Sequence, residues 1–182
     1  QLRSRIPQHY TTVQDVRPNR QALIADRWMA DFATCNYLGL DDNPDAIEKI
    51  NEYHAKWGMQ RCWTRAVATP KPLIDLEARL AQLIDVPDVM IFPTVTLLHF
   101  GVLPLLAGQD GAIIIDTAAH KSMHEASALA RAKGATVTSF GHRDAQDLEA
   151  KLKRTQSKGK KIIVVDGVYS MTGQTVDLAT YQ

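Results

Sequence analysis

From residue 71 onward the hydrophobic positions alternate between two periods. Leu73, Leu76, Leu80, Leu83 and Ile84 recur at helical spacing in PLIDLEARLAQLID, which predicts an amphipathic helix. Beyond it, short apolar runs alternate with amphipathic stretches. The pattern predicts strand 89–92, helix 96–107, strand 111–116, helix 121–133, strand 136–140, helix 144–155 and strand 161–166. Runs such as AIII and KIIVV are apolar at consecutive positions, as strands covered on both faces are. The fold class is therefore α/β, a mostly parallel sheet with helices on both faces.

The earlier third is less regular. The first two dozen residues, with Pro7, Pro18 and scattered charges, predict an extended arm, and residues 22–33 read as strand material around a turn that leads to NYLGL. DAIEKINEYHAKW has Pro44 before it and Gly58 after it, the asymmetry that brackets a helix. This divides the chain into an N-terminal arm and strand region, 1–43, and a ligand-binding domain, 44–182.

Composition narrows the class of function. The 21 basic and 20 acidic residues nearly cancel, so no electrostatic footprint for nucleic acid or an anionic membrane is present. No apolar run approaches the length of a membrane span, and the first residues, QLRSRIPQHY, lack the apolar core of a signal peptide. Cys35 and Cys62 have neither CxxC spacing nor a disulfide framework. The expectation is a cytoplasmic protein with two reduced thiols.

Ligands of parallel sheets bind beyond the carboxyl ends of the strands, so three segments become candidates. After residue 165 comes DGVYSMTG, where Asp166, two glycines and Ser170 suit a loop that approaches a ligand closely, or a strand-to-loop turn capped by Asp166. After residue 115 comes DTAAHKSMH. His120 and His124 stand four apart, but no glutamate lies between them as in HEXXH, which argues against a metal; His120 is a cap or a ligand contact. After residue 92 comes PTVTLLH, where backbone amides and the hydroxyls of Thr94 and Thr96 could hold a phosphate, or either threonine could serve only as a helix cap. Neither GxxxxGK[ST] nor GxGxxG occurs.

Taken in order, FATCNYLGL, WGMQRCWTR, LIDLEARLAQLI, FPTVTLLHFGVLPLL, IIIDTAAHKSMHEA and VVDGVYSMTGQTVDL resemble the α-oxoamine synthases, a family of fold-type I pyridoxal 5′-phosphate enzymes. The resemblance implies a transferase that condenses an amino acid with an acyl-CoA thioester, usually with loss of carbon dioxide, to give an aminoketone. It also implies the cofactor pyridoxal 5′-phosphate and a homodimer. By the same resemblance His120 is catalytic and stacks on the cofactor ring. Ser170 bonds the phenolic oxygen, Val95 and Thr96 offer amides to the phosphate with Thr94 as a further donor, Asp166 supports the site, and Asn36 lies near the amino-acid substrate.

The chain departs from the family at several positions. Val95 and Ala68 stand where glycine is usual, Leu73 where histidine is usual, and His99 where asparagine is usual. Neither the stretch that pairs with the pyridine nitrogen nor the Schiff-base lysine has a counterpart at its proper place, so the chain is expected to be part of a longer enzyme. Two other readings stay open on the sequence: a non-catalytic partner subunit of such an enzyme, and another fold-type I enzyme such as an aminotransferase.

Overall fold

The computed structural model describes residues 12–59 and 63–181; the first eleven residues of the N-terminal arm and Cys62 lie outside them. The chain divides into two compact units, residues 1–70 and 71–182, and each is described by itself.

The first unit contains β1 (Val13–Arg17), β2 (Gln21–Ile24) and β3 (Arg27–Ala30), an antiparallel meander in that order. The strand-turn-strand expected over residues 22–33 is β2 and β3. The expected arm is corrected in part, because residues 13–17 are hydrogen-bonded to β2 and form a true strand. Ala25 and Asp26 make the two-residue turn with φ of 48° and 59°, a conformation usually given to Asn-Gly. Gln14 holds it there: its side chain accepts from the Asp26 amide and donates to the Asp26 carboxylate, both at 2.9 Å. Helix α1 (Pro44–Trp57) begins where the Asn43 side chain accepts from the Ala46 amide, and ends at Gly58.

The second unit holds α2 (Lys71–Leu83), α3 (Val95–Ala107), β4 (Ala112–Asp116), α4 (Lys121–Ala132), β5 (Thr136–Phe140), α5 (Ala145–Arg154) and β6 (Lys161–Val164). The three strands form a parallel sheet with β4 in the middle, in the order β5-β4-β6. All five residues of β4 are buried. Ile113 and Ile115 pack with Leu103 and Ala107 of α3 and with Met123, Ala126 and Ala130 of α4. Ala112 and Ile114 point the other way, toward Phe140 and Leu148 of α5. Successive residues of the central strand thus feed opposite layers, which is why its apolar run is unbroken. Gly111, at the junction of α3 and β4, admits no side chain, since a Cβ there would lie 1.9 Å from the Ala107 carbonyl oxygen.

The strand expected at 89–92 is not one. Among the described residues no strand pairs with it, and the Ile91 amide donates instead to the Glu77 side chain of α2 at 2.8 Å. An apolar run of four residues does not make a strand by itself; only a neighbouring strand with open hydrogen-bonding groups turns it into a ladder.

Candidate active site

The three loops singled out in the sequence meet at the carboxyl end of this sheet. They line a cleft of about 440 Å³ whose wall includes Val95, Thr96, His120, Asp166 and Ser170. That volume accommodates a small-molecule cofactor. β4 and β6 are adjacent and parallel, with Ile115 opposite Val164, so the loops after them emerge side by side. The N-terminus of α3 supplies the third wall.

Each wall has a local cause. Thr94 caps α3, its hydroxyl accepting from the Leu97 amide at 3.1 Å. Val95 and Thr96 are then the first two helical residues, whose amides have no partner within the helix and sit at the positive end of its dipole. Thr94 is not itself part of the cleft wall, so its threonine acts first as a cap. His120 caps α4 through its ring, with Nδ1 accepting from the Ser122 amide at 3.2 Å. Its own backbone amide donates to the Asp166 carboxylate at 2.9 Å, tying the loop after β4 to the loop after β6. Asp166 therefore holds the His120 backbone from within the same cleft wall.

Two further residues of the cleft wall, His99 and Ser122, were not placed in the site by sequence reasoning. His99 Nδ1 lies 2.9 Å from Ser122 Oγ, which lies 2.7 Å from His120 Nδ1. Burial holds the His99 imidazole below its ordinary value; the nearby His120 adds to this and Asp166 opposes it.

Behind the cleft, Asp116 closes a polar cluster that the sequence did not reveal. Its fully buried carboxylate accepts from the Ala118 amide at 2.7 Å, the Arg143 amide at 3.2 Å, His142 Nδ1 at 3.0 Å and the Tyr169 hydroxyl at 2.7 Å. Burial pushes the Asp116 carboxyl up, but these four donors outweigh it and leave it below its ordinary value. Burial, reinforced by the carboxylate, pushes the Tyr169 phenol well up, so it remains a donor. His142 stands edge-on to Tyr169, with ring centroids 4.4 Å apart, and its Nε2 lies 2.9 Å from Gln174 Oε1. The backbone closes the same loop: the Tyr169 amide donates to the Gln174 carbonyl, and the Gly173 amide to the Tyr169 carbonyl, each at 2.8 Å. Ser170 is thus carried on a loop anchored at the residue just before it.

Tyr169→Phe is expected to keep the ring packing and leave Asp116 one donor short, lowering stability by about 1–3 kcal/mol. Urea unfolding of the whole protein measures this, and an unchanged midpoint would show that the anchor carries no weight.

Asn36 belongs to the other unit. It lies in the loop between β3 and α1, in a shallow cleft formed by Thr34 to Asp41, and its carbonyl accepts from the amide of Gly39, whose φ is 64°. Cys35 beside it is a free, exposed thiol. Among the described residues no group of side chains could hold a metal ion, and no helix is long and apolar enough to cross a membrane.

Residues 28–182 match the family described as aminotransferase class I and II. The chain belongs to that family. Among its relatives in the family are a serine palmitoyltransferase of Sphingobacterium spiritivorum, 32% identical, and an 8-amino-7-oxononanoate synthase of Maricaulis maris, 34% identical. The alignments cover 89% and 91% of this chain but 40% and 42% of those relatives, so the chain spans about two fifths of their length. Both are α-oxoamine synthases, the group that the motifs resemble. The fold agrees: a Sphingomonas wittichii serine palmitoyltransferase superposes with a TM-score of 0.89 at 25% identity, over 99% of this chain and 45% of that one. A serine palmitoyltransferase solved with pyridoxal phosphate gives 0.85 at 25% identity, over 94% and 43%.

Proposed function

We propose that the whole protein is a pyridoxal 5′-phosphate-dependent acyltransferase that condenses an amino acid with an acyl-CoA thioester, usually with decarboxylation, to give an aminoketone. The observation that carries this reading is the meeting of His120, Ser170 and the first turn of α3 in one cleft. When bound there, pyridoxal phosphate supplies an electron sink for the bond broken at the amino acid's α-carbon.

The residues present fit that group. The amides of Val95 and Thr96 lie at the helix N-terminus, where a phosphate is bound without a basic side chain. The Thr94 hydroxyl can still donate its hydrogen while it accepts from Leu97. Ser170 offers a hydroxyl to the phenolic oxygen. His120, held by Asp166 and Ser122, would offer its ring face to the pyridine and its remaining nitrogen to the substrate carboxylate. Asn36 is assigned to the amino-acid substrate by the resemblance alone. The whole protein is read as a cytoplasmic homodimer.

The test is reconstitution of the whole protein with pyridoxal phosphate. The visible absorbance of the protein-bound cofactor and release of CoA from acyl-CoA with a panel of amino acids are expected. Turnover with a 2-oxo acid acceptor in place of acyl-CoA would make it an aminotransferase instead.

A further inference from the structure

We propose that His99 is a positioning residue that completes a directed hydrogen-bond chain through Ser122 to His120, in which His120 faces the cleft as a hydrogen-bond donor and His99 as an acceptor. The inference deepens the proposed cofactor site and rests on it only for what the wall would contact.

The bond directions follow from counting hydrogens. Ser122 Oγ has one hydrogen and lies within bonding distance of two ring nitrogens, His99 Nδ1 at 2.9 Å and His120 Nδ1 at 2.7 Å. The Ser122 amide also donates to His120 Nδ1, at 3.2 Å, so that nitrogen must carry a lone pair. A proton on His120 Nδ1 would set two donors against each other. His120 Nδ1 therefore accepts, and the remaining nitrogen of that ring, Nε2, bears the hydrogen.

With His120 Nδ1 an acceptor, the Ser122 hydroxyl hydrogen goes to it. A second acceptor at His99 Nδ1 would leave two lone pairs facing each other at 2.9 Å, so His99 Nδ1 must bear a hydrogen. One arrangement satisfies all three contacts: His99 Nδ1–H donates to Ser122 Oγ, whose O–H donates to His120 Nδ1. Burial keeps the His99 ring neutral, which leaves its Nε2 bare. His99 is thereby held in the less common tautomer of free histidine. Both rings line the cleft, so the wall offers one donor and one acceptor, suited to a ligand that pairs an anionic group with an N–H or O–H.

Nitrogen-15 solid-state NMR of the whole protein, histidine-labelled and free of cofactor, reads the ring states directly. His99 is expected to carry its proton on Nδ1 and His120 on Nε2. In His99→Leu the Ser122 hydroxyl loses the donor that fixes its orientation, so the His120 Nδ1 signal moves toward that of a nitrogen bonded only to the Ser122 amide. Ser122→Ala gives the same movement. His99→Asn, whose amide can donate to Ser122, restores the original position. A proton on His99 Nε2 or on His120 Nδ1 in the unsubstituted protein would overturn the proposal, as would an unmoved His120 signal in both His99→Leu and Ser122→Ala. Failure of the cofactor absorbance would sink the cofactor reading and leave these ring states as they are.

Discussion

His120→Ala is expected to lower kcat/KM of the whole protein by about 10²- to 10³-fold, the cost of losing one preorganised donor in a shielded site. The substitution removes the ring face and the free nitrogen together. It also removes the cap on α4, where His120 Nδ1 accepts from the Ser122 amide, and this second loss costs about 1 kcal/mol of stability. The two effects can be separated, because asparagine is a good N-cap with no imidazole. His120→Asn should retain the urea midpoint of the unsubstituted protein while losing activity like the alanine variant. Steady-state kinetics and urea unfolding measured side by side decide it. If His120→Asn kept full activity, the ring would be a cap and nothing more.

The second large effect is on stability. Asp116→Asn is expected to cost about 3 kcal/mol, because it sets an amide N–H among groups that are themselves donors: the Tyr169 hydroxyl, His142 and two backbone amides. The same cluster gives the protein a characteristic pH profile. Asp116 titrates below its ordinary 3.8, so its contribution is complete above that value and is lost as pH falls through the lower, folded one. His142 titrates above its ordinary 6.5. Its bond to Gln174 raises it most, burial opposes, and Asp116 adds to the rise. The His142 contribution is therefore complete below 6.5 and is lost as pH rises through the raised value. Both contributions are fully present between the two ordinary values. Thermal unfolding followed across pH should show a plateau there, and Asp116→Asn should lower it and flatten its alkaline edge. An identical profile in the variant would exclude the pair as its source.

The parts of the molecule legible in the sequence are those that a local pattern encodes. The leucines of α2 repeat within thirteen residues, and β4 is apolar at consecutive positions because both faces are covered. Pro44 and Gly58 mark the ends of α1 by their own backbone chemistry. The loops after residues 115 and 165 were found because a parallel sheet puts its binding edge at one end, whereas the loop after residue 92 was reached through an expected strand that does not form. What stayed hidden depends on partners far along the chain. Asp116 meets His142 across 26 residues and Tyr169 across 53, and His99 reaches Ser122 across 23. No spacing rule connects such positions. The error at 89–92 has a related origin, since whether an apolar segment becomes a strand depends on a neighbour elsewhere.

That segment has a consequence for how a ligand would be received. Two walls of the cleft hang from β4 and β6, whose amides are locked into a ladder. The third leads into α3 from residues 88–93, which lie outside any ladder, with the Ile91 amide held by the Glu77 side chain. Amide protons of this approach will exchange with solvent sooner than those of β4, since opening it breaks no sheet. A phosphate seated on Val95 and Thr96 would slow that exchange. Part of its binding free energy would go into quieting the approach to α3, while the walls carrying His120 and Ser170 are held by bonds already in place.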